Sequence, residues 1–237
     1  MRGSIATGLK AFAVLAVVGA VLTPAPAAAQ QTINFSFGGF APRSEDARDA
    51  NDVLVQDRTF LDFNVGDLHG VTVGGEWLIG LGEHFDAGLG IGFYQRSTLA
   101  ADRFSEFEDT GDPILADLKL RIVPFNATFR WLPLGRRGAV QPYIGGGVGV
   151  FGWRYSETGD FVASDNVTII HGNFVGSGSA AGPVVLGGVR VPVGSWSIGG
   201  ELKYQAGEGE LPASQGFAGS TIDLGGLTYA FTFGVRF

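Results

Sequence analysis

Eight ionisable residues stand out because each falls inside a stretch of alternating side chains: Glu76, Asp86, Lys119, Arg121, Arg130, Arg190, Glu201 and Lys203. Successive side chains of a β-strand point to opposite faces, so residues of matched phase converge on one surface. Placed together on the glycine-bearing face, the set brings three acids among five bases. If that face is enclosed, the charges must be paired or hydrated, because an isolated buried charge is strongly unfavourable. The simpler chemistry is a salt-bridged plug. The alternative is a gate over a narrow pore, opened by exchanging ion-pair partners. A carboxylate pair acting as acid and base is a third chemistry, but Glu76 and Glu201 fall on the second and seventh strands, a separation that gives it no support.

Other motifs carry less. Gly147-x-Gly149-x-x-Gly152 matches the dinucleotide fingerprint in spelling, yet it sits within a strand and opens no helix, as phosphate binding would require. His69, His84 and His171 form no close metal pair and no HExxH motif, so they read as solvated or structural. None begins a His-x-Ser pair of the kind that activates a nucleophile. Asp102, Glu106, Glu108, Asp109 and Asp112 form the densest acidic run. They lack the EF-hand spacing and read as a solvated loop, with cation-bridged contact to lipopolysaccharide as the alternative. With no cysteine, disulfides and thiolate-ligated metals are excluded. No catalytic set, cofactor or metal is expected.

Composition narrows the class. Glycine contributes 39 of 237 residues, charged residues only 16%, and the net charge is −7. An acidic chain repels nucleic acid, and 45% apolar content argues against disorder. Helices should not need so much glycine, since each interior glycine costs about 1 kcal/mol relative to alanine.

The beginning of the chain reads as an address. Arg2 and Lys10 precede an unbroken stretch of apolar residues and glycine, Ala11 to Leu22; Pro24 and Pro26 end it, and Ala27-Ala28-Ala29 offers a cleavage site. That is the layout of a secretory signal peptide, and the run is too short for a spanning helix of about 20 residues. The expected organisation is therefore a signal peptide, 1–29, and one domain, 30–237.

Period-two alternation then predicts eight strands. The last is the clearest: Leu227, Tyr229, Phe231, Phe233, Val235 and Phe237 alternate with glycine, threonine, alanine and arginine. Similar patterns run through 33–38, 71–81, 85–93, 117–131, 140–150, 185–193 and 196–204. In 117–131 the apolar phase changes at Val123-Pro124, which predicts a β-bulge. Short connections at 82–84, 133–138 and 194–195 alternate with long ones at 41–67, 98–115, 156–180 and 206–222, the pattern of an antiparallel up-and-down barrel. The long loops hold 17 acidic and 4 basic residues. Strand-like patches at Leu61-Phe63-Val65 and Val167 to Ile170 leave a ten-strand count open. Glycines concentrate on the face opposite the apolar one. On the outside of a soluble barrel they would weaken strands without a packing gain; inside a narrow barrel they leave room for a few long side chains. The expected fold is all-β, a transmembrane barrel with its apolar side outward. A soluble, lipocalin-like ligand binder would need the faces inverted.

The signal peptide, the segment Pro142-Tyr143-Ile144-Gly145-Gly146-Gly147-Val148-Gly149 and the ending Tyr229-x-Phe231-x-Phe233-x-Val235-x-Phe237 together resemble the eight-stranded outer-membrane β-barrel family of Gram-negative bacteria. That family includes OmpA-type transmembrane domains, OmpW and opacity-like porins. The resemblance implies export to the outer membrane, contact with its lipid and lipopolysaccharide, and a monomer. It also implies that Tyr229, Phe231, Phe233, Val235 and Phe237 are read by the barrel-assembly machinery. A peptidoglycan-binding domain is not expected. The expected role is a structural or surface-interacting barrel with acidic loops; a narrow porin-like channel is the alternative.

Overall fold

A computed structural model describes residues 30–163 and 168–237; the expected signal peptide lies outside them. Alternating stretches become β1 (Gln31–Pro42), β3 (Gly70–Leu81), β4 (Phe85–Glu106), β5 (Pro113–Trp131), β6 (Gln141–Val162), β7 (Ile169–Val193), β8 (Trp196–Gln205) and β11 (Gly226–Arg236). Three short strands, β2 (Leu61–Asp62), β9 (Glu208–Glu210) and β10 (Thr221–Asp223), and a one-turn helix, α1 (Val53–Asp57), lie in the long connections.

Each of the eight long strands pairs antiparallel with its neighbours, and β1 pairs with both β3 and β11, so the sheet closes on itself. Phe237 completes the seam by exchanging two 3.0 Å backbone hydrogen bonds with Gln31. The count is eight, not ten. Leu61 and Asp62 pair only with the end of β4, and Ile169 and Ile170 begin β7; Val167 lies outside the described residues. β4 to β7 extend well past the expected strand ends, so much of the expected loops 98–115 and 156–180 is hairpin wall.

Polarity reverses along the barrel. At the short-turn end, β5 points Trp131, Phe129 and Phe125 outward and Arg130, Thr128 and Asn126 inward. At the long-loop end it points Leu118, Leu120 and Ile122 inward, fully buried, with Lys119 and Arg121 exposed outside. The pairing of β5 with β6 runs through Val123 and Pro124 without a register shift. The expected bulge is therefore absent there; a register irregularity occurs instead near the hairpin tip, between Ala101 and Glu106. Geometric alternation continues while the chemistry of the two faces exchanges. β6 does the same: Ile144, Val148 and Val150 face outward, whereas Phe151, Trp153 and Tyr155 are buried inside.

The apolar outer belt on β5 spans eight residue steps from Val123 to Trp131, about 21 Å at 3.4 Å per residue and a tilt near 40°. That is close to the roughly 25 Å lipid-facing band of such barrels. The ring is a closed, eight-stranded antiparallel barrel with the proportions of a transmembrane one. Above the belt, the upper half has an ordinary apolar core, built where the connections 43–69 and 206–225 fold into the barrel mouth. Val53, Leu54, Leu68 and Ile222 pack there against Leu120 and Phe151. The side chain of Asp52 caps α1 by accepting from the Leu54 amide at 3.0 Å.

Candidate functional site

Six of the eight ionisable residues singled out by phase do face the lumen: Glu76, Asp86, Arg130, Arg190, Glu201 and Lys203. Lys119 and Arg121 do not. They belong to the stretch where outward positions are polar, and the expectation that they line the lumen is corrected by the unbroken register of β5.

The lumen residues form two layers. In the middle layer Arg130, on β5, is 2% exposed. Its Nη2 donates to Glu76 on β3 at 2.5 Å and to Glu201 on β8 at 2.8 Å. The two carboxylates that looked remote in strand order thus meet on one guanidinium across the barrel. Thr128 donates to Glu76 at 3.2 Å, Tyr143 donates to Glu201 at 3.0 Å, and the guanidinium lies 4.8 Å from the Tyr143 ring centroid. Charge balance favours this packing: two carboxylates surround one guanidinium, with Lys203 lining the same chamber.

The second layer lies nearer the short turns. Asp86 accepts from Arg190 at 3.2 Å and from Arg136. Arg190 also donates to Gln141 at 3.0 Å, and Gln141 in turn donates to the backbone of Arg136. Asp86, Gln141 and Arg190 are all buried. Between the middle layer and the apolar core of the mouth lies a cavity of about 50 Å³ bordered by Asn34, Ser36, Glu76, Tyr94, Glu201 and Lys203.

Glycines provide the space for these side chains. A Cβ at Gly188 would lie 2.5 Å from the Tyr143 hydroxyl, and one at Gly88 would lie 2.6 Å from a Glu76 carboxylate oxygen. The bulky lumen residues therefore sit opposite residues without side chains.

Tyr143, Thr128, Gln141 and Arg136 are missing from the sequence-derived set. Tyr143 and Gln141 share the inward phase with Gly145 and Gly147, and that phase is a usable signal. Arg136 comes from a turn and has no period to reveal it.

A third polar group lies in the upper half, above the apolar belt. The Asp57 carboxyl of α1, fully buried, accepts from Tyr155 at 3.0 Å. It faces Glu157, also buried, on β6. Burial and the neighbouring Glu157 push Asp57 up to about 9, and burial pushes Glu157 up to about 7. Close by, Arg48 pairs with Asp52 at 2.9 Å, and Asp52 accepts from the Asp223 amide at 2.6 Å, tying the two long connections together. Some of the acidity expected at the loop surface is thus inside the mouth, while Glu108, Asp109 and Asp112 at the β4–β5 tip are exposed. His171 lies 2.9 Å from Asp160 in the β6–β7 hairpin.

No protein-family model matches the chain, and no curated protein matches it. Among solved structures it is similar to the attachment invasion locus protein Ail of Yersinia pestis, at 11% identity over 88% of this chain and 99% of that one, with a TM-score of 0.47. Neisserial surface protein A is similar at 11% identity over 88% and 97%, TM-score 0.45. The N-terminal barrel domain of Pseudomonas aeruginosa OprF is similar at 12% identity over 87% and 97%, TM-score 0.37.

Proposed function

We propose that the protein is an integral outer-membrane barrel with a closed lumen, acting through the surface it holds above the membrane rather than by passing solutes. The observation that carries this reading is the double-carboxylate grip on Arg130. A guanidinium held by Glu76, Glu201 and the Tyr143 ring crosses the narrowest kind of barrel. A second ion-paired layer lies below it, and an apolar mouth core lies above it. Opening such a stack requires breaking buried ion pairs, which costs about 3–5 kcal/mol for each partner removed. The same filling argues against a lipocalin-like ligand binder, because the protein's own loops occupy the apolar upper interior. The exposed acids at the β4–β5 tip are what the platform offers to partners.

The test joins fractionation with electrophysiology. The protein is expected in the outer-membrane fraction, with heat-dependent migration on detergent gels, and silent in planar bilayers over repeated insertions. Reproducible conductance steps, altered by Glu201→Gln or Arg190→Ala, would establish the porin-like reading instead.

A further inference from the structure

The two residues displaced from the lumen, Lys119 and Arg121, point to a different site. Both are exposed on the outer face of β5. Arg121 lies one outward position above Val123, the top of the apolar belt, and directly opposite Arg154, another exposed cation, on β6. Like charges directly opposed in an antiparallel pair are destabilising. Among the described residues, no acid is paired with any of them. On its other side Arg121 faces Gln95; Lys119 faces Ser97 and Ser156; Arg154 faces Ser177 beyond Arg121. Among the described residues, the nearest outward acid is Asp117, half-buried, one outward position above Lys119 and opposite Leu99 and Thr158. Acid is not scarce in a chain with 23 aspartates and glutamates. Its absence opposite these three cations therefore calls for an anion from outside. Elsewhere on this rim the cation is matched internally: Arg43 pairs with Asp223 at 3.0 Å and donates to Tyr204 at 2.6 Å.

We infer that Lys119, Arg121 and Arg154, with the hydroxyl and amide groups of Ser97, Ser156 and Gln95, form a binding site for the phosphorylated headgroup of an outer-leaflet glycolipid. The inference rests on the membrane reading above. Two arginines side by side supply planar forks suited to phosphate oxygens, and Lys119 adds a point charge. Continuity with the apolar belt selects a lipid over a free phosphate: Val123, Phe125 and Val150, directly below on β5 and β6, face outward and would meet its acyl chains.

The test uses the whole chain refolded in nonionic detergent and three probes: diphosphorylated lipid A, the same lipid after removal of its phosphates, and inorganic phosphate. Wild-type protein is expected to prefer the phosphorylated form. Lys119→Gln/Arg121→Gln/Arg154→Gln is expected to lose that preference, weakening binding on the order of a hundredfold for three interfacial cations. Arg137→Gln, exposed at the opposite end, is expected to bind as wild type. Millimolar inorganic phosphate should not displace the lipid. Equal binding of both lipid forms by wild type, equal binding by the triple variant, or displacement by inorganic phosphate overturns the inference. If this occurs with a protein that inserts into bilayers, the membrane reading survives alone. A chain that stays soluble without detergent overturns both.

Discussion

Replacing Asp57 with asparagine should change how the barrel mouth responds to alkali. Asp57 and Glu157 face each other in the upper core, and one oxygen of each, Oδ1 and Oε1, receives no hydrogen bond from any described donor. A proton shared between the two carboxyl groups would let one donate to the other. Their folded values are about 9 and about 7, both above the ordinary carboxylate values of 3.8 and 4.5. For acids raised on folding, the stabilisation is complete below the unfolded values and is lost as pH rises through the folded ones. Between pH 7 and 9 the closed mouth holds on average about one proton more than an opened one. At about 1.4 kcal/mol per pH unit per proton, closure weakens by about 3 kcal/mol across that window. Tyr155 is pushed further up by burial and does not titrate within it. Asp52 is raised in the same direction by burial but is opposed by Arg48. Asparagine supplies an amide donor to Glu157 and keeps an oxygen for Tyr155, so Asp57→Asn should reduce the loss to below about 1 kcal/mol. Trp153 is buried in this core, whereas Trp77, Trp131 and Trp196 are exposed on the belt. Urea titration followed by Trp153 fluorescence, with the other three tryptophans replaced by phenylalanine, measures closure at each pH. A wild-type midpoint that does not move between pH 7 and 9, or an Asp57→Asn midpoint that moves equally, refutes the shared-proton argument.

Two further outcomes follow from the lumen and the seam. Arg130→Ala leaves Glu76 and Glu201 facing each other without their guanidinium and should destabilise the barrel by about 3 kcal/mol or more, read as a lower unfolding temperature in detergent; Arg130→Lys should recover only part of it, because one ammonium cannot reproduce the planar fork. Deleting Phe237 removes the two backbone hydrogen bonds to Gln31 that finish closure, worth about 1 kcal/mol each. Less heat-modifiable barrel should reach the membrane, and an unchanged yield would count against an assembly role for the terminal strand.

Strand number, direction and closure were readable because the barrel wall repeats one simple rule over many residues. The lumen network was readable to the extent that it obeyed that rule: Glu76, Asp86, Arg130, Arg190, Glu201 and Lys203 each sit on the inward phase. Arg136 reaches the second layer from a turn, where no periodicity identifies it. The mouth was hidden for a related reason. α1 has five residues, too few to show a helical period, and Val53 and Leu54 are buried only because distant β5 and β6 residues are waiting above the belt.

Lys119 and Arg121 illustrate why phase and polarity must be kept apart. A change in which alternate positions are apolar can arise from an inserted residue, which turns the strand over, or from a change in the surrounding medium, which leaves it unturned. The two make opposite assignments for every side chain beyond the change. Val123-Pro124 looks like the first and is the second: register with β6 is continuous, while outside the barrel lipid-facing phenylalanines give way to arginine and lysine. Inside, polar residues give way to leucine and isoleucine because the loops fill the mouth. A simultaneous exchange on both faces is what an unturned strand crossing the edge of an apolar slab should produce. β6 exchanges its faces between Val150 and Phe151, opposite Phe125 and Pro124, so the boundary falls at matching height on adjacent strands. A bulge has no reason to recur at that height on a neighbour; a membrane surface does.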